Sequence, residues 1–198
     1  MKFNVLLTGV GGEGVLLASA ILARAANIEG YEVHGIQLHG LAQRGGSIPT
    51  YVRFGDKGGI YSPIIPRGGA DLIIGLETIE AARSCYFADK KKTNFLIDTY
   101  TVVPVYANLS GVKYPSEKEV EKMIAPFAKS ITIVDASRLT KEKLGSALYG
   151  NAMAFGVAIG KGLLPLKRKS LENAMAETIP RDMEKNLQAF KMGLEFRG

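Results

Sequence analysis

The first 27 residues constrain the fold more than any other stretch. Lys2 to Thr8 is a short run rich in apolar residues that reads as a buried strand. A glycine cluster follows at Gly9, Gly11, Gly12 and Gly14, and Val15 to Asn27 continues at helical spacing. Within that last segment Val15, Ser19, Leu22 and Ala26 share one face, at steps of four, three and four. Strand, glycine turn and helix in this order predict the opening of a dinucleotide-binding-type βαβ unit. The glycines are needed because the turn is tight and the helix must lie close on the strand. Backbone N–H groups at the start of such a helix suit an anion. The alternative is a tight strand-to-helix turn in an α/β domain with no ligand, since a fold does not dictate a site.

The next strand tests the dinucleotide reading. Tyr31 to Gln37 is extended by pattern, and its far end reads Gly35, Ile36, Gln37, Leu38, His39. A ribose-holding Asp or Glu belongs there, about 20 residues past the glycines. None is present, and Glu32 sits at the opposite end of the strand. This counts against an NAD site. The following segment, His39 to Ser47, leaves the carboxyl end of that strand, where open α/β sheets bind ligands. Arg44 beside Gly45 and Gly46 combines a fork of donors with exposed backbone, suited to a carboxylate or phosphate. The simpler reading is a Gly-Gly turn into the next strand, with Arg44 solvated or paired to an acid. The candidate cofactor-binding residues are therefore Gly9, Gly11, Gly12, Gly14, Arg44, Gly45 and Gly46. Catalytic and metal-ligating residues are expected to be none.

Further along, Ser47–Phe54 and the short Gly59–Tyr61 are expected to form a hairpin-like insertion around Gly55, Asp56, Lys57 and Gly58. Ala70 to Leu76 is a buried strand that delivers Glu77 at its end, and Thr78 is the expected cap of a helix over Ile79–Phe87. Glu77 either meets a ligand or pairs with a nearby helix or arginine. Asn94–Asp98 and Ser130–Val134 read as strands, and Thr101–Lys113 as extended chain. Ser116 with Glu119 is a capping box, opening a helix that places Val120, Ile124 and Phe127 on one face. Ser137–Leu148 is expected to be helical. Asn151–Gly162 is nearly all small and apolar, a helix that is buried in the domain or lies at an interface with another chain. Two amphipathic helices, Ser170–Ile179 and Asp182–Phe196, close the chain. The pattern gives an α/β class: a Rossmann-like open sheet, mostly parallel, with helices on both faces and a C-terminal helical pair. Residues 1–198 are expected to form one domain, on the prior of roughly 100–200 residues per domain.

Charge and composition narrow the function. The net charge of +6 comes from 25 basic against 19 acidic residues, in short clusters such as Lys90–Lys92 and Lys167–Lys169. A nucleic-acid binder concentrates such charge on one helix or ribbon, so no nucleic-acid partner is expected. The excess remains compatible with an acidic protein partner or an anionic ligand. Cys85 alone excludes an intrachain disulfide or a cysteine-ligated iron–sulfur cluster within this chain, and with only His34 and His39 a histidine metal site is not expected. No apolar run reaches the ~20 residues that span a bilayer, and no cleavable leader is evident, so a soluble cytoplasmic protein is expected.

Several stretches together carry a resemblance: Gly9 to Val15, His39 to Ser47, Tyr61-Ser62-Pro63, Ala70-Asp71-Leu72, Glu77 to Arg83, Asn151, and Asn186 to Gly193. They resemble the gamma-type domain of 2-oxoacid:ferredoxin oxidoreductases, and within it the small subunits of the indolepyruvate-type enzymes. The resemblance implies a non-catalytic subunit of a complex that decarboxylates a 2-oxoacid to an acyl-CoA, with ferredoxin as electron acceptor. It implies a large partner subunit carrying thiamine diphosphate, Mg and iron–sulfur clusters, with coenzyme A as substrate, and it leaves a homodimer open. One departure is Glu13, where the family usually has Gln. A carboxylate there suits the helix dipole but repels a phosphate at the same N–H groups. The alternative function is a free-standing nucleotide-binding α/β protein using the same glycine loop.

Overall fold

In this computed structural model, which describes residues 1–37, 45–103, 111 and 113–198, the chain builds one six-stranded sheet with helices on both faces. Its strands are β1 (Lys2–Val10), β2 (Glu32–Gln37), β3 (Ser47–Gly55), β4 (Leu72–Gly75), β5 (Asn94–Asp98) and β6 (Ser130–Val134). The helices among the described residues are α1 (Val15–Ile28), α2 (Thr78–Arg83), α3 (Glu117–Ile124), α4 (Ala136–Leu144), α5 (Gly150–Gly160), α6 (Arg168–Thr178) and α7 (Met183–Leu194). The strand order is β2-β3-β1-β4-β5-β6. β1, β4, β5 and β6 run parallel, whereas β3 is antiparallel to both of its neighbours. The expected mostly parallel open sheet is therefore what forms.

The position of β3 corrects the expected hairpin-like insertion. Ser47–Gly55 pairs along its whole length with β1, from Lys2↔Gly55 to Val10↔Ser47, and it separates β1 from β2. The segment Gly59–Tyr61 is not a strand. Burial explains the outcome: Ile48, Val52 and Phe54 are closed beneath α1, so this strand is worth more inside the sheet than folded back on a short partner. Pro49, which cannot donate to a ladder, is tolerated by register. The Gly11 N–H bond to Gly46 makes alternate pairs hydrogen-bonded, which leaves the Thr8↔Pro49 pair without a ladder bond. On its other side, Pro49 lies past the last β2 pair, Gln37↔Thr50.

Period-two alternation assigns the faces. Val5, Leu7, Leu72, Ile74 and Leu96 join α1, α5, α6 and α7 in the larger core, while Leu6, Ile73, Phe95 and Ile97 meet α2 and α3 in the smaller one. The expected face of α1 is buried in full, Val15, Ser19, Leu22 and Ala26 included. The small, apolar α5 lies within the chain's own core, which resolves its two readings. It crosses α7 so closely that a Cβ on Gly156 would stand 2.1 Å from the Phe190 carbonyl oxygen and 2.9 Å from the Gly193 Cα. The two C-terminal helices dock on different partners, α6 mainly along α1 and α7 along α5.

Smaller departures have local causes. Glu77, not Thr78, caps α2, its carboxylate accepting the Glu80 N–H at 3.0 Å, and the helix gives way to a 3-10 turn at Ser84–Phe87. The Ser116–Glu119 capping box forms as expected and buries Val120 and Ile124, but α3 stops at Ile124 and leaves Phe127 exposed. α4 ends at Leu144 on a left-handed Gly145, and a 3-10 turn over Ala147–Tyr149 leads into α5. The expected extended segment Thr101–Lys113 lies mostly outside the described residues. No helix among the described residues is long and apolar enough to cross a membrane.

Candidate functional site

β1, β4, β5 and β6 end on the same side of the sheet, and the chain leaving them encloses a crevice of about 210 Å³. Its wall includes Gly12 and Glu13 of the glycine loop, Leu76 after β4, Tyr100 after β5, Ser137 at the start of α4 and Asn151 at the start of α5. The loop is held from both sides. Gly11 donates to the Gly46 carbonyl at 2.9 Å and Gly45 donates back to the Gly11 carbonyl at 3.1 Å. Across the crevice, the Asn151 side chain donates to the Glu13 carbonyl at 2.9 Å.

The predicted site residues thus divide. Gly9 is a packing glycine: a Cβ there would lie 2.9 Å from the Val15 side chain and 3.2 Å from that of Leu76. Gly12 and Gly14 take φ values of 103° and 77°, which only glycine adopts at low cost. Gly11, Gly45 and Gly46 are brought together, but through bonds to one another that extend the β1–β3 ladder. Arg44 and His39 lie outside the described residues. Gln37, at the strand end where a ribose-binding acid was sought, turns instead onto α1 and donates to the Ser19 hydroxyl at 2.8 Å.

The electrostatics come from residues that the sequence did not single out together. Burial pushes the Glu13 carboxyl up to about 7, aided by the neighbouring charges of Glu77 and Asp98 and opposed by a hydrogen bond with Tyr100. Asp98, almost fully buried, is raised by burial to about 6 although Ser137 and the Tyr100 backbone bond to it. Its carboxylate accepts the Ser137 N–H at 3.0 Å and the Ser137 hydroxyl at 2.5 Å, so the end of β5 caps the start of α4 from outside that helix. Glu77 also serves structure: besides capping α2 it receives the Tyr114 hydroxyl. The signal available in sequence was positional: each parallel strand is followed by an acid or a hydroxyl at its carboxyl end.

These groups define what the crevice can accept. Near neutral pH Glu13 is close to half protonated, so it both donates and accepts a hydrogen bond. No Lys or Arg lines the crevice among the described residues. A phosphate placed here would face the charges of Glu13, Glu77 and Asp98, and two loop N–H groups are already committed, Gly11 to Gly46 and Glu13 to Val10. Among the described residues, the lining therefore favours a neutral or cationic polar group. The first-turn N–H groups of α1 have no intrahelical acceptor, as at any helix start, and no side chain caps them.

The pyruvate ferredoxin/flavodoxin oxidoreductase family matches residues 4–196. The chain is 37% identical over 194 residues to the indolepyruvate oxidoreductase subunit IorB of Archaeoglobus fulgidus, covering 98% of this chain and 94% of that one. Its fold matches the gamma subunit of a keto/oxoacid ferredoxin oxidoreductase from Geobacter sulfurreducens, with a TM-score of 0.67 at 22% identity over 98% of this chain and 96% of that one. It also matches 30% of the longer 2-oxoglutarate:ferredoxin oxidoreductase chain of Magnetococcus marinus, over 97% of this chain, with a TM-score of 0.70 at 18% identity. The chain belongs to the pyruvate ferredoxin/flavodoxin oxidoreductase family.

Proposed function

We propose, with that membership as the premise, that this chain is the non-catalytic small subunit of a 2-oxoacid:ferredoxin oxidoreductase acting on an aryl 2-oxoacid of the indolepyruvate type. The observation that carries the reading is the 37% identity with the Archaeoglobus subunit over 98% of this chain. The large partner subunit supplies thiamine diphosphate, Mg and the iron–sulfur clusters; coenzyme A takes up the acyl group and ferredoxin the electrons. The 198 residues act as one domain in the cytoplasm.

Within the assembly, the glycine loop and the Gly45–Gly46 turn that it bonds form a docking edge, with Arg44 beside them in sequence. The acidic crevice behind that edge favours a polar group of the partner over a phosphate, because burial and like charge already strain its carboxylates. Ser137, committed to Asp98, holds α4 against the end of β5 rather than acting as a nucleophile.

Co-expression with the large subunit, followed by size exclusion and intact-mass analysis, tests this. A single species containing both chains is expected. A chain that elutes only by itself or as copies of itself removes the subunit reading.

A further inference from the structure

The amino ends of the parallel strands present a second surface, on the side of the sheet away from the crevice. Three large apolar side chains are exposed there: Tyr61 at 92%, Ile64 at 55% and Tyr86 at 61%. They are held on ordered backbone. Arg53 of β3, only 5% exposed, donates to the carbonyls of Ser62 at 2.6 Å and Ile64 at 2.9 Å, and to the Asn4 side chain at 2.9 Å. Gly68 donates to the Tyr86 carbonyl and Ala70 to that of Phe87, which lays the loop carrying Ile64 beside the turn carrying Tyr86. Arg67 stacks over the Tyr86 ring, 5.7 Å from its centre, and Tyr86 meets Phe87 edge-on. Burying a guanidinium to pin a surface loop costs free energy. What the fold gains is a loop tied to the sheet that displays two phenols and an isoleucine, a residue mix that favours a protein interface.

Charge selects the occupant. The rim carries Arg67 together with Lys90 and Lys91, both exposed on the turn that abuts Gly68. Of the nearby acids, Asp71 is paired with Lys92, and Asp89, which accepts the Lys91 N–H, offsets only part of the charge of Arg67, Lys90 and Lys91. A second copy of this chain would set basic rim against basic rim. We infer that the surface formed by Tyr61, Ile64, Tyr86 and Arg67, rimmed by Lys90 and Lys91, docks an acidic, apolar-centred face of the catalytic partner subunit. The inference rests on the subunit reading above and adds to it a second contact, at the opposite end of the sheet from the crevice.

Affinity of the full chain for the purified large subunit tests it, measured by mass photometry over a range of salt. Tyr61→Ser with Ile64→Ser should weaken assembly by about tenfold or more. Lys90→Glu with Lys91→Glu should weaken it and flatten its salt dependence. Both pairs lie on the surface, and unchanged thermal unfolding of the free variants separates lost docking from lost folding. Variants that assemble as tightly as the parent, when the parent assembles, overturn this inference alone. A parent that does not assemble at all overturns the subunit reading and this inference with it. If the variants instead lose binding to phosphatidylserine vesicles while subunit affinity holds, the surface meets a membrane and the inference fails.

Discussion

Two regions of this molecule are built from the same small residues and do opposite things with them. At the α5–α7 crossing, Gly156 and Gly193 bring two helix backbones into contact deep in the core. In the loop after β1, Gly12 and Gly14 let the chain turn through positive φ at the rim of an open crevice. The crossing has no room for a single added methyl, whereas a Cβ on Gly12 would meet nothing within 4 Å. The glycines at the helix crossing are therefore a demand of packing, and Gly12 is a demand of turning that leaves space beside it. Only the second kind makes room for another molecule.

Substitutions can break that contrast, and the largest effect is expected at the crossing. Gly156→Ala forces its new methyl into the Phe190 carbonyl and should cost about 3 kcal/mol or more in urea unfolding. A loss of only a few tenths would mean that the helices separate easily. Gly9→Ala comes next. Its methyl meets side chains of Val15 and Leu76 instead of backbone, so a loss of about 1–3 kcal/mol is expected, with the fold retained. Asn151→Ala removes the side-chain bond that ties α5 to the glycine loop, and should cost about 1 kcal/mol. Its sharper sign is faster amide exchange confined to the loop; uniform loosening across the sheet would argue against a local tether.

The last effect is one of pH. Glu13 rises from the usual 4.5 to about 7 on folding, so the folded chain holds this proton more tightly than the unfolded one. The resulting stability is fully present below pH 4.5 and is lost as pH climbs through about 7. Glu13→Gln should therefore flatten the fall in melting temperature across that interval. An unchanged slope would place the titration elsewhere.

Much of the frame was legible in sequence because it rests on local pattern. The strand, glycine turn and α1 follow from periodicity and glycine spacing, and the Ser116–Glu119 box announces α3. The place of β3 was not legible. Its alternation fits an inner strand and an outer hairpin alike, and only the closure of Ile48, Val52 and Phe54 beneath α1 decides between them. The candidate site divided in the same way. Its glycines were visible as turn chemistry, yet the groups that set its charge come from the ends of different strands, some 60 to 120 residues from the loop in the case of Glu77, Asp98 and Ser137. The bonds from Gly11 to the Gly46 carbonyl and from Gly45 to the Gly11 carbonyl, which continue the β1–β3 ladder into the loop, are likewise a long-range outcome.

In the proposed function this chain supports chemistry performed on its partner. Reduction of ferredoxin driven by indolepyruvate and coenzyme A, assayed with this chain alone, the large subunit alone and the two combined, tests it most directly. Turnover is expected when both are present and none from this chain by itself; sustained ferredoxin reduction by the isolated chain would mean that it carries the chemistry itself.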